Sequence, residues 1–333
     1  MLKPPPASSL VHFPVTGGTA LLAMALTVAA WVKVDVSALL MTSDWLVEPW
    51  RVVGSTLLHA RDLSMGIFHL GFNLYWVWVF GSFLERKIGS LRLGLMLLGF
   101  AAGAMLAETA FLDGGVGLSG VVYGLFGFLW TMNRHDPHEW YAVDRATAEV
   151  FVGWFFLCIV LTWADILGVA NIAHGMGAGL GVLLGLAWSA RRRLRPLWAA
   201  AFGLAVAASA ALASPLLRPL ASFSPRYAAE LAFKGYKAYE NGREDEAITL
   251  LRQAARIDPD SGEYWASVAV MEEAAGRLDQ AKRARQELTR LGVPTYTGAA
   301  PASRPEELED EVVPLGPSPR TQPSSRPATR SKP

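Results

Sequence analysis

This sequence predicts an all-α fold: a polytopic membrane helix bundle followed by a small soluble helical-repeat domain. Three observations predict it. Hydrophobic residues make up 52% of the 333 residues and charged residues only 18%. The charge is unevenly spread, with 26 charged residues among the first 221 and 33 among the last 112. Apolar stretches close to the ~20 residues that cross a bilayer recur throughout the first part. Such a composition excludes a purely soluble enzyme, a collagen-like fibre and a wholly disordered chain. A net charge of +1 leaves no electrostatic footprint for nucleic acid. The single cysteine, Cys158, rules out an intramolecular disulfide and a cysteine-based zinc site.

The candidate spans, in order, are 15–32, 68–84, 93–112, 117–133, 149–168, 172–190 and 197–217. Several are short or glycine-rich, which suits a compact bundle. The first also reads as a signal peptide with a weak Val28-Ala29-Ala30 cleavage site, although Pro4 to Pro6 match that poorly. A cytoplasmic N-terminus puts ten basic residues inside: Lys3, Arg86, Lys87, Arg92, Arg134, Arg145, Arg191, Arg192, Arg193 and Arg195. Only Lys33, Arg51 and Arg61 then fall in outside loops, which is the expected bias. With seven spans the charged C-terminal part lies outside the cytoplasm; without the alanine-rich 197–217 it lies inside. The chain thus divides into a cytoplasmic segment 1–14, a membrane core 15–190, a basic loop with the seventh helix 191–221, helical repeats 222–298 and a tail 299–333.

Polar residues in membrane helices are rare and usually functional. His69 and Asn73 lie one turn apart at the start of the second span. Ser119 opens the fourth span and His174 the sixth, so all four share one depth below the outer surface. Gly120, Gly124 and Gly127 form a stripe on one helix; Gly177, Gly181 and Gly185 continue a stripe from His174 on the other. Facing stripes of small residues let the backbones approach and bring Ser119 within reach of His174. A serine hydroxyl becomes a good nucleophile when a base takes its proton. His69 and Asn73 offer donors to the resulting oxyanion, and Tyr123 lies one turn below Ser119 to pack on the imidazole. Singly, each residue has a structural explanation, such as a serine back-bonded to its own helix. No acid adjoins His174 in sequence (Asp165 is nearest), so the pattern is a Ser–His dyad and not a triad.

These residues resemble the rhomboid family of intramembrane serine proteases over about residues 45–190. Trp50-Arg51 is similar to the family's pair in the large first loop. His69-Leu70-Gly71-Phe72-Asn73 resembles its His-x-x-x-Asn motif, and Glu85 to Ser90 its charged turn. Gly117-Leu118-Ser119-Gly120 with Tyr123 resembles the nucleophile motif; Ala170 to His174, with Gly177 and Gly181, resembles the histidine motif. The resemblance implies Ser119 as nucleophile, His174 as general base, and an oxyanion hole of His69, Asn73 and the Ser119 backbone N–H. It implies cleavage of transmembrane protein substrates near the outer membrane face, in a bacterial inner membrane, without metal or cofactor. One departure is the upstream histidine, His59, which stands ten residues before His69 where the family often has about five. Two alternatives stay open: a catalytically dead relative that binds membrane proteins, though both dyad residues are present, and a transporter, though no inverted repeat is visible.

The charged part carries a period of 34, in which Gly242 recurs as Gly276 and Ala247 as Ala281. Residues 226–291 resemble two tetratricopeptide repeats, with Gly235, Ala254 and Pro259 in the first and Trp265 in the second. Such a module offers a groove for a peptide or protein partner, or serves as a cap or dimerisation element. Residues 299–333 are rich in Pro, Ser, Thr and Arg and are expected to be disordered.

Overall fold

The computed structural model describes residues 4–60 and 63–293, and all regular elements among them are helical. In chain order they are α1 (Pro14–Trp31), α2 (Trp50–Leu57), α3 (Leu63–Trp76), α4 (Ser82–Ile88), α5 (Ser90–Phe111), α6 (Ser119–His135) and α7 (Arg145–Trp163). There follow α8 (Asn171–Ser189), α9 (Arg195–Leu212), α10 (Arg218–Ala221), α11 (Pro225–Glu240), α12 (Glu244–Ile257), α13 (Gly262–Ala274) and α14 (Leu278–Arg290). Six helical stretches among the described residues are long and apolar enough to cross a membrane: α1, Met65–Ile88, α5, α7, α8 and α9. The chain is an integral multi-pass membrane protein. The remaining expected span, α6, is 17 residues long and lies at the centre of the bundle, with Gly120 to Leu129 all buried.

The second span is longer than its sequence pattern suggested. It joins α3 to α4 through a π-helical stretch, Val77–Gly81, and stops where Gly89 takes φ 85°. Only a residue without Cβ adopts that conformation readily, so α5 can begin at once and run antiparallel. The seventh helix ends at Leu212 and not at 217. Ser214-Pro215 explains the early stop: a proline ring disfavours helical backbone at the residue before it.

Packing centres on α6 and α8. A methyl group built on Gly177 would collide with the Gly120 carbonyl, and one on Gly181 with the Gly124 carbonyl and the Phe128 amide. From the α6 side, a methyl on Gly127 would strike the Ala178 carbonyl. The two glycine stripes therefore do face each other, backbone to backbone. Phe100 of α5 covers Gly124 on the opposite side, and Phe202 of α9 covers Gly99.

Residues 225–293 form two successive helix hairpins. Gly242 and Gly276, 34 positions apart, make the same left-handed turn inside each hairpin, at φ 72° and 73°. Leu231, Ala247, Ile248, Leu251, Val268 and Met271 fill the core. Glu272 is fully buried and is paired with Arg252 and Arg277. This hairpin module rests on the membrane part. Lys234 donates to Ser43 at 3.1 Å and Ser43 bonds Glu230, while within the membrane part the Trp45 indole donates to the Ala213 carbonyl at 2.9 Å. The expected tail, 299–333, lies outside the described residues.

The glycine contact yields a direct test. Gly181→Leu must push apart two backbones that cannot yield, and we expect a loss of at least the ~1–3 kcal/mol typical of overpacking. Gly203→Leu, at a position with no atom within 4 Å of an added Cβ, should leave stability nearly unchanged. Thermal unfolding of both variants in detergent checks this, and equal stabilities would contradict the packing.

Candidate active site

The site is assembled by helix starts. Ser119 is the first residue of α6 and His174 the fourth of α8. Where the helices touch, the position of a Cβ on Gly120 lies 3.3 Å from the Ala173 carbonyl oxygen, so Ser119-Gly120 flanks Ala173-His174. The His174 ring stacks on Tyr123, with centroids 4.6 Å apart and planes at 29°. The Tyr123 hydroxyl donates to the Phe151 carbonyl at 3.1 Å, which holds the phenol flat against the imidazole.

Ser119 and His174 are neighbours but are not hydrogen-bonded to each other. Among the described residues, Nδ1 of His174 is buried with no hydrogen-bond partner. Ser119 lines a small pocket with Thr56, Gly117, Gly120 and Ala173.

His69 and Asn73 reach the same place from α3. Gly117 has φ 109°, a value that favours glycine. Its absent Cβ would sit 2.6 Å from His69 Cε1 and 3.6 Å from Asn73 Nδ2. Any side chain there would displace the histidine, so Gly117 is required twice, by backbone and by space. Asn73 Nδ2 donates to the His69 carbonyl at 2.9 Å. An amide carries two hydrogens, and among the described residues this is the one bond Nδ2 makes.

Two neighbouring segments fix this loop and the start of α8. In α2, Ser55 donates from its hydroxyl to the Gly115 carbonyl at 2.6 Å and accepts at its own carbonyl from the Gly117 amide at 3.3 Å. Asn171 donates to Thr162 at 2.8 Å, tying the start of α8 to the end of α7. Trp50 and Arg51 lie further out. The Trp50 indole donates to the Ala38 carbonyl at 3.1 Å, and Arg51 donates to the carbonyls of Ser37 at 2.7 Å and Leu40 at 2.9 Å. They shape the first loop and do not touch the dyad. Gly177 and Gly181 act through the α6–α8 contact described above.

Two residues complete the site that sequence reasoning did not assign. Glu108 of α5 is buried, and its carboxylate accepts from the Ala173 amide at 2.8 Å. The N-cap of α8, Ala170, has no side-chain acceptor, so Glu108 supplies the cap from another helix. An acid in the middle of an apolar run was the available signal. His59 is fully buried, bonds Thr27 Oγ1 at 3.2 Å through Nδ1, and meets the His69 ring edge-on with centroids 4.9 Å apart. The ten-residue separation in sequence therefore does not keep the two histidines apart.

Residues 46–191 match the Rhomboid domain. The chain is similar to Rhomboid protease GlpG of Yersinia pestis (strain Pestoides F), 28% identical over 191 residues, which is 54% of this chain and 65% of that protein. It is also similar to Rhomboid protease GlpG of Serratia proteamaculans (strain 568), 34% identical over 155 residues, covering 45% of this chain and 52% of the relative. The chain thus spans less than two thirds of the length of these relatives.

The Glu108 cap can be tested on stability alone. Glu108→Ala leaves buried α8 amides without an acceptor, at a cost of about 1–3 kcal/mol. Glu108→Gln keeps an acceptor oxygen and should recover most of that loss in thermal unfolding. Equal stability of Glu108→Ala and the unmodified chain would contradict the cap.

Proposed function

We propose that this chain, whose residues 46–191 match the Rhomboid domain, is an intramembrane serine endopeptidase that cleaves transmembrane segments of membrane proteins through a Ser119–His174 dyad. The observation that carries the reading is the meeting of the starts of α6 and α8 beside the middle of α3. Ser119-Gly120 meets Ala173-His174, while Gly117 lies against His69 and Asn73.

The chemistry follows from those positions. His174 takes the proton of Ser119 Oγ as that oxygen attacks the scissile carbonyl carbon. Charge then develops on the former carbonyl oxygen. His69, the second Asn73 amide hydrogen and the Ser119 backbone N–H are its donors. Collapse breaks the C–N bond, and His174 returns its proton to the departing amine. Water, deprotonated by His174, hydrolyses the acyl-enzyme by the same steps and frees Ser119. The lack of a Ser119–His174 hydrogen bond is compatible with this, because catalytic contacts often tighten only with substrate bound. The unpartnered Nδ1 of His174 favours a dyad over a triad. Tyr123 keeps the imidazole aligned, and the chemistry needs no metal or cofactor.

The reading extends to placement. The basic residues favour a cytoplasmic N-terminus in a bacterial inner membrane, which puts the helix starts near the outer face. The hairpin module then lies outside the cytoplasm. Its 34-residue period and matched glycine turns support tetratricopeptide-like repeats with a protein or peptide partner.

Cleavage of a reporter transmembrane substrate by the purified chain tests the activity. Ser119→Ala should lower turnover by about 10³-fold or more, and equal cleavage would sink the assignment. His69→Ala or Asn73→Ala alone should cost about 10²–10³-fold, the usual loss for one oxyanion donor. Near-normal activity of the double variant would remove them from the mechanism. For topology, a cysteine placed at Gly262 should react with an impermeant reagent only from outside the cytoplasm. Labelling from the cytoplasm alone would place the module inside.

A further inference from the structure

The segment between the last spanning helix and the hairpin module, residues 214–224, crosses the end of α5. It meets three successive residues there. Arg218 Nη2 donates to the Leu112 carbonyl at 3.0 Å. The Phe223 amide donates to the Phe111 carbonyl at 2.8 Å, and Ser222 Oγ donates to the same oxygen at 3.4 Å. Ser224 Oγ donates to the Asp113 carboxylate. The last carbonyls of a helix have no partners within it, and its C-terminus favours a cation. Residues 214–224 therefore cap α5 with both hydrogen bonds and charge. Arg218 is buried and lies 3.8 Å from the centre of the Tyr227 ring, in the first turn of α11.

The loop so capped leads straight to the candidate nucleophile. Residues 112–118 include Gly114 at φ 78°, Gly115 and Gly117 at φ 109°. A loop with three glycines has little conformational preference of its own. Its middle is held by Ser55 of α2 and its far end by α6. Its near end is held by α5, by the 214–224 segment and by Met41 of the first loop, which lies 3.3 Å from the place of a Cβ on Gly114. That segment is fixed in turn from the module, since Ser224 also accepts from the Tyr227 amide at 3.0 Å and Arg256 of α12 bonds the Pro219 carbonyl.

We propose that residues 214–224 are a positioning strap for the serine loop, through which the hairpin module holds Gly117 and Ser119 in their working arrangement. Arg218, Ser222 and Ser224 are positioning residues, acting through loop 111–118. The inference rests on the reading of Ser119 as nucleophile. On this account the module, which lies outside the rhomboid domain, controls the order of its active site, and a ligand that moves α11 alters turnover.

The test uses the full chain in detergent with Asp113→Ala, Ser224→Ala and the double variant. Hydrogen–deuterium exchange at residues 111–118 should be faster in each single variant than in the unmodified chain. For a short single-span substrate, kcat should fall about tenfold, the scale set by a small misplacement of reacting groups, with KM unchanged. The double variant should be no worse than Ser224→Ala, which also loses the Tyr227 cap, because Asp113→Ala removes only a bond that Ser224→Ala already removes. Ser224→Thr, which keeps the hydroxyl, should restore both readouts. Unchanged exchange at 111–118, or kcat losses that multiply in the double variant, would overturn the strap. If the unmodified chain cleaves nothing, the protease reading fails, and the exchange measurement still decides the strap.

Discussion

The backbone contact between α6 and α8 is the constraint from which the rest follows. In lipid the tails are as apolar as the side chains, so helices associate through close van der Waals contact and not through escape from water. Gly177 against the Gly120 carbonyl and Gly181 against the Gly124 carbonyl supply that contact. It fixes the height of one helix against the other. Because Ser119 opens α6 and His174 lies in the first turn of α8, fixing the heights sets Ser119-Gly120 beside Ala173-His174. The same approach leaves no room for side chains in the seam, which is why α6 can sit at the centre of the bundle with only 17 residues.

Helix ends impose the second demand. Unpaired N–H and C=O groups are costly where water is scarce, yet α1 and α8 have no side-chain cap of their own. Glu85 accepts from the Val15 and Thr16 amides at 2.9 Å and from the Ser90 hydroxyl at 2.7 Å, so it caps α1 and also pins the α4–α5 turn. Glu108 does the same for α8, and the 214–224 segment does it for the C-terminus of α5. Each cap comes from a distant part of the chain. The buried polar groups that stabilise the bundle thereby also locate the site.

Much of this was legible in the sequence because it is local. Apolar runs give spans, four-residue glycine spacing gives helix faces, and His69, Asn73, Ser119 and His174 each stand out against apolar neighbours. The recurrence of Gly242 as Gly276 reports a repeated turn that the structure contains. What escaped is pairing across distance. Nothing near Glu108 indicates that its partner is the Ala173 amide, 65 positions on. The ten-residue spacing of His59 from His69 left its place open, and the two rings lie edge to face with centroids 4.9 Å apart. The run 197–217 read as one helix because hydropathy does not register the backbone restriction before Pro215. Trp50 and Arg51 were legible as a first-loop pair, but not their partners, the carbonyls of Ala38, Ser37 and Leu40.

The central claim is that Ser119 is made reactive by His174 at the junction of these two helices. Reaction of the purified chain with a serine-directed fluorophosphonate, followed by mass-spectrometric location of the adduct, addresses that claim without needing a natural substrate. The account predicts an adduct on Ser119 in the unmodified chain and none in His174→Ala. An adduct on another residue, or equal labelling of Ser119 after loss of His174, would contradict it.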